Sequence, residues 1–175
     1  KVGDGSRYGA DIQWSVEPAG ALETGGALQA ALPLLGPEPF VLVNGDVWTD
    51  YPFATLMKRE LKPAELVHLV LVPNPERNPK GDFAIHDGHA TMELFSSSPH
   101  SLEKTPLERF TYSGIGIYRP ALLALHSGTD KRFPLAPLLR EAMATQQVTA
   151  ELYNGDWRDI GTVACLRKLQ GEQSA

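Results

Sequence analysis

The chain has 175 residues, 42% apolar and 21% charged, with a formal net charge of −5. That length suits one domain with a real core, and no window approaches the roughly 18 consecutive apolar residues that a membrane span needs. The acidic balance argues against a broad nucleic-acid-binding face, whereas small phosphorylated ligands stay open because a bound metal ion reverses the local sign of an acidic site.

The chain opens on KVGDGSRYGA, with neither an initiator Met nor a signal peptide. DIQWSV, from Asp11 to Val16, alternates apolar and polar residues and reads as a short strand ended by a Pro18-Ala19-Gly20 turn. In LETGGALQAALPLL a glycine pair precedes an Ala- and Leu-rich stretch, predicting a helix that Pro33 stops or kinks. Phe40 to Val43 is a continuous apolar run of the buried-strand type, and FATLMKREL after it is helical in composition. ELVHLVLVP, from Glu65 to Pro73, is a second such run. Strand, helix, strand alternation predicts an α/β domain with parallel strands.

Residues Asn74 to Arg109 are rich in Pro, Ser, Asn and Gly, with short candidate strands at DFAIHDG and HATMELF; they read as an antiparallel or irregular insertion on one edge. FTYSGIGIY resumes a strand, PALLAL and LAPLLREAMA are helical, WRDIG is a strand end and TVACLRKLQ a closing helix. No repeat or linker interrupts this order, so a single domain over residues 1–175 suffices. The lone Cys165 excludes an intrachain disulfide, fits a reducing compartment, and in its apolar run reads as a packed structural thiol.

LVNGDVW supports two readings. Asn-Gly between apolar residues is a strong hairpin signal of the type I′ kind. The run before it does not alternate, however, and a helical segment follows soon after. On the second reading the strand ends at Asn44, Gly45 lets the backbone approach a ligand, and Asp46 projects from the carboxyl end of a strand, where open α/β sheets hold their ligands. NGDWRDIGT repeats the pattern with Asp159, Gly161 and Thr162, which alone reads as a capping arrangement plus a surface acid. Two carboxylates from different strand ends are hard oxygen ligands suited to Mg²⁺. The five histidines show no metal-ligand spacing, and neither G-x-S-x-G nor C-x-x-C occurs.

EPAGALETGGALQAALPLLG, FVLVNGDVWTDY, GDF, FTYSGIGIYRP, FPLAPLLREAM and GDWRDIGT occur in an order that resembles the sugar-1-phosphate nucleotidyltransferases. They are most similar to the N-acetylmuramate-1-phosphate uridylyltransferase branch. The resemblance implies a Rossmann-like, GT-A-like α/β nucleotidyltransferase fold with a mostly parallel central sheet flanked by helices. It implies a cytoplasmic enzyme that joins a nucleoside triphosphate, expected to be UTP, to a sugar 1-phosphate, releasing pyrophosphate, in cell-wall (peptidoglycan) recycling. Asp46 and Asp159 match the Mg²⁺ ligands of the family. Glu17, Glu23, Thr24 and Gly25 fall on its nucleotide-base segment, and Asn44, Gly81, Asp82, Ser113 and Gly114 on positions facing the substrate. Asp50 is expected only to cap or support. The Gly-rich nucleotide loop of the family, with its following Arg and Lys, belongs upstream of Lys1, which implies an N-terminally truncated chain that lacks the first strand and loop unit and is inactive alone.

Three alternatives compete. A guanylyltransferase for mannose 1-phosphate would keep the same metal acids. A nucleotide-sugar-dependent glycosyltransferase would use an Asp-x-Asp pair, which Asp46 and Asp50 are too far apart to form. A noncatalytic sugar-phosphate-binding module would bind without turnover.

Overall fold

In the computed structural model of the chain, residues 2–17, 20–97 and 104–173 are described. After a single 3-10 turn at Ser6–Tyr8 comes α1 (Glu23–Leu35), followed by β1 (Phe40–Val43), β2 (Val47–Thr49), α2 (Phe53–Leu56) and β3 (Val67–Val72). The middle of the chain forms β4 (Phe83–His86), β5 (His89–Thr91), β6 (Phe95–Ser97), β7 (Lys104–Pro106) and the long β8 (Arg109–Tyr118). A 3-10 helix (Pro120–Leu125), α3 (Ala136–Ala144), β9 (Val148–Leu152), β10 (Trp157–Asp159) and α4 (Val163–Gln173) complete it.

Six strands form the main sheet in the order β1-β8-β3-β9-β5-β4. The expectation of a mostly parallel sheet is corrected to a mixed one. Strand β8 runs antiparallel to both β1 and β3, and β3 with β9 is the one parallel pair among the described residues. The cause is topological: β1, β3 and β9 share a direction, but the return strand β8 inserts between two of them and takes their hydrogen bonds. The insertion is antiparallel, as expected, with β4 and β5 joined at Asp87-Gly88, where φ values of 49° and 78° suit a primed hairpin turn. Part of it, residues 98–103 including His100, lies outside the described residues, as do Pro18 and Ala19 of the expected turn.

Strand β3 anchors the core because period-two alternation sends its side chains to two packed faces. Val67, Leu69 and Leu71 join Leu122, Leu138, Leu139, Ala142 and Met143 on one side. Val70 joins Tyr51, Leu56, Leu61, Ile115 and Ile117 on the other. Each buried Val, Leu, Ile or Met among them contributes about 1.5–3 kcal/mol.

Elsewhere the sequence expectations need correction. β1 is an edge strand of alternating burial, with Val41 and Val43 37% and 42% exposed. DIQWSV is irregular, since no strand lies beside it, and Trp14 and Val16 stay exposed. The helix at FATLMKREL shortens to four residues, while Pro33 lies two residues before the end of α1. Cys165 is exposed, because Leu169 is the one buried residue among the described side chains of α4. β9 carries little signal in the sequence, because its five residues include Thr and Glu and show no clear period.

Candidate functional site

Asn-Gly at 44–45 makes no hairpin. The Asn44 carbonyl accepts the Val47 N–H at 3.4 Å, Gly45 lies outside the left-handed region, and β2 leaves the main sheet to pair with β10. That two-stranded ribbon is the device that brings the separated acids together. It aligns Val47 with Asp159, and the Ile160 N–H donates to the Asp46 carbonyl at 2.7 Å. Oδ2 of Asp46 and Oδ1 of Asp159 consequently lie 2.9 and 3.0 Å from the point that a Cβ on Gly161 would occupy. Gly161 leaves open the space on which both carboxylates converge.

The pair is electrostatically uneven. Asp159 accepts the Gly161 N–H at 2.8 Å through Oδ1, and its Oδ2 pairs with the Arg77 guanidinium. Partial burial opposes its charge, but those two donors outweigh it and hold the Asp159 carboxyl below the ordinary carboxylate range. Arg77, Arg158, Lys168 and the thiol-bearing Cys165 border an open groove of about 540 Å³ beside Asp159. Asp50 is engaged by a different group: its carboxylate accepts the Tyr153 hydroxyl, a bond that holds the acid below its usual range and raises the phenol to about 12.

A second cavity, of about 440 Å³, opens beside the carboxyl end of β1. Thr24, Asn44, Gly81 and Asp82 line it with Leu42, Phe83, Tyr112, Leu139, Arg109 and Arg140. Asn44, two residues before Asp46, links the cavity to the acid pair. Its side chain lies against Gly114, at φ 79°, where a Cβ would come within 2.7 Å of the Asn44 amide. Gly114 can take that conformation because Ser113 and Gly114 form a bulge in β8 opposite Val70 and Leu71. Gly81, at φ 62°, is similarly enclosed by Asn74, Arg109 and Phe110. Asp82 accepts the Tyr112 N–H at 2.8 Å. Burial raises the Tyr112 phenol to about 12, despite its bond to the Tyr118 hydroxyl, so it stays protonated at neutral pH.

Several expected residues stand elsewhere. Ser113 is buried; its hydroxyl donates to the Val70 carbonyl at 2.7 Å and accepts the Ile115 N–H, so it faces the sheet and not the cavity. Glu17 accepts the Leu22 N–H at 2.8 Å and fixes the entry to α1. Glu23, at φ 60°, points its carboxylate to Arg132 at 3.3 Å. Gly25 is a close-approach position against the Phe133 ring. Of the four positions expected on the nucleotide-base segment, Glu17, Glu23, Thr24 and Gly25, Thr24 alone lines the cavity. Arg77, Arg109 and Arg140 escaped the sequence reading, since an arginine in a loop, strand or amphipathic helix gives no distinguishing spacing.

No protein-family model matches the chain. Among curated proteins it is 41% identical over 172 residues to the N-acetylmuramate alpha-1-phosphate uridylyltransferase of Neisseria meningitidis serogroup B (strain ATCC BAA-335 / MC58), covering 97% of this chain and 70% of that protein. It is 28% identical over 171 residues to the mannose-1-phosphate guanylyltransferase catalytic subunit beta of Drosophila pseudoobscura pseudoobscura, where it spans 90% of its own length and 41% of the relative. Among solved structures it resembles one from Bacillus anthracis, described as a glucose-1-phosphate thymidylyltransferase, with a TM-score of 0.73 at 16% identity over 98% of this chain and 68% of that one. The inositol-1-phosphate CTP transferase of T. maritima superposes with a TM-score of 0.62 at 14% identity, over 86% and 60% of the two chains. At such identities the structural likenesses show the fold.

Proposed function

The chain belongs to the sugar-1-phosphate nucleotidyltransferases, and from that premise we propose that the complete protein joins UTP to N-acetylmuramate 1-phosphate, giving the UDP-sugar and pyrophosphate. The observation that carries the reading is the convergence of Asp46 and Asp159 on the space beside Gly161, next to a cavity lined by Asn44, Gly81 and Asp82. The choice of sugar and base rests on the 41% identity to the uridylyltransferase against 28% to the guanylyltransferase. We read the setting as cytoplasmic cell-wall recycling, which the relative's substrate and the lone exposed thiol support. Among the described residues no helix is long and apolar enough to cross a membrane.

We read the two convergent carboxylates, with a glycine where a side chain would intrude, as fitting Mg²⁺; among the described residues no group of three or more acidic, His or Cys side chains gathers at one place. Asp46 and Asp159 would hold the ion, which when bound supplies charge neutralisation between the two phosphates. The sugar phosphate is ionised at neutral pH, so its oxygen attacks the α-phosphorus directly, and the bond to pyrophosphate breaks in line. No side chain need accept a proton. The work of this chain is positioning: Asp82 offers a carboxylate to sugar hydroxyls, Asn44 an amide, and Gly81 admits close approach of the substrate.

Pyrophosphate release by the complete gene product, across four nucleoside triphosphates and a panel of sugar 1-phosphates with Mg²⁺, tests the reading. Release confined to UTP with N-acetylmuramate 1-phosphate is expected. Release with GTP and mannose 1-phosphate would overturn the substrates and keep the chemistry, and silence from a folded protein would favour a binding module.

A further inference from the structure

Two guanidinium groups line the 440 Å³ cavity, and they differ in how they are held. Arg109 is engaged by the backbone: one Nη donates to the Asp82 carbonyl and the other lies 3.5 Å from that of Met92. Arg140 is exposed and has neither a hydrogen-bond acceptor nor an ion-pair partner among the described residues. Its backbone is nonetheless rigidly placed. α3 is pinned to the core by Leu138, Ala142 and Met143, while Ala136, Leu139 and Arg140 share the cavity face at i, i+3 and i+4. One helix thus supplies both an apolar wall and an unmatched positive charge at its rim.

We propose that Arg140 is a specificity-determining residue that pairs with a carboxylate on the sugar, selecting N-acetylmuramate 1-phosphate over N-acetylglucosamine 1-phosphate. The inference rests on the reading of this cavity as the sugar-phosphate site. The two sugars differ by one group, the lactyl ether on O3, which ends in a carboxylate. An acidic chain that presents Asp82 in the same cavity repels that group unless a cation receives it. The planar guanidinium matches a carboxylate with two parallel hydrogen bonds, which a lysine ammonium cannot reproduce. Arg109, already engaged by two carbonyls, is not available for the same role.

The test uses the complete gene product as wild type, Arg140→Gln and Arg140→Lys, with UTP and each sugar phosphate, read by steady-state kinetics and by calorimetric binding that needs no turnover. Arg140→Gln is expected to weaken N-acetylmuramate 1-phosphate roughly 10- to 100-fold, mainly through KM, as loss of a charged hydrogen-bonded pair does. N-acetylglucosamine 1-phosphate should be unaffected, which also reports that the variant is folded, and Arg140→Lys should recover part of the preference. A wild type that prefers N-acetylmuramate 1-phosphate, with an Arg140→Gln that keeps the preference or loses both sugars equally, overturns this inference alone. A wild type indifferent to N-acetylmuramate 1-phosphate removes the proposed substrate and the inference with it.

Discussion

β1 and β3 look alike as sequence, FVLV and VHLVLV, and behave differently in the fold. All six residues of β3 are buried, between β8 and β9 in the sheet and between two apolar clusters across it. β1 lies at the sheet edge with every second side chain exposed, and its carboxyl end runs into Asn44 and Asp46. On the function proposed above, the first is scaffold and the second an arm that delivers chemistry. The difference teaches that an apolar run states a capacity for burial, whereas position in the sheet decides whether that capacity is used.

If the division holds, substitutions in the scaffold cost stability and those in the arm cost chemistry. Leu69→Ala, at a position with no exposed surface, should destabilise by about 2–5 kcal/mol in denaturant unfolding. Asp46→Asn or Asp159→Asn should lower activity of the complete enzyme by roughly 100-fold or more while its melting temperature stays put. A double variant as active as wild type would remove the acid pair from the mechanism.

Smaller effects sharpen the boundary. Gly161→Ala places a methyl 2.9 and 3.0 Å from the two acid oxygens, so Mn²⁺ affinity measured by calorimetry should fall by about tenfold or more with the fold intact. On the scaffold side, Glu151 receives the Tyr51 hydroxyl and stands 3.6 Å from the buried His68. The His68 contact, aided by Tyr51 and opposed by burial, holds the Glu151 carboxyl below its ordinary 4.5. Its charge therefore stabilises the fold above that pH and ceases to do so as the pH falls through the lowered value. Glu151→Gln should cost about 1 kcal/mol at pH 7, a deficit that shrinks below pH 4.5 in urea titrations. Val43→Thr, on the exposed side of β1, should change stability by no more than about 0.5 kcal/mol.

Local signals on the chain were enough to determine the α/β class, the positions of α1, β1, β3, β8, α3 and α4, and the interest of Asp46 and Asp159, because apolar runs, helix periodicity and strand-end acids are encoded within a few residues. Tertiary structure alone decided that NGD is no hairpin, since β2 finds its partner more than a hundred residues away in β10. It also decided that Ser113 turns into the sheet, that Cys165 faces outward, and that Thr24, Asp82 and Arg140 border one cavity. Each of those facts depends on which distant segment lies alongside. Such pairings are selected by the packing of the whole sheet, through energies spread over many contacts, and leave no mark at the residue itself.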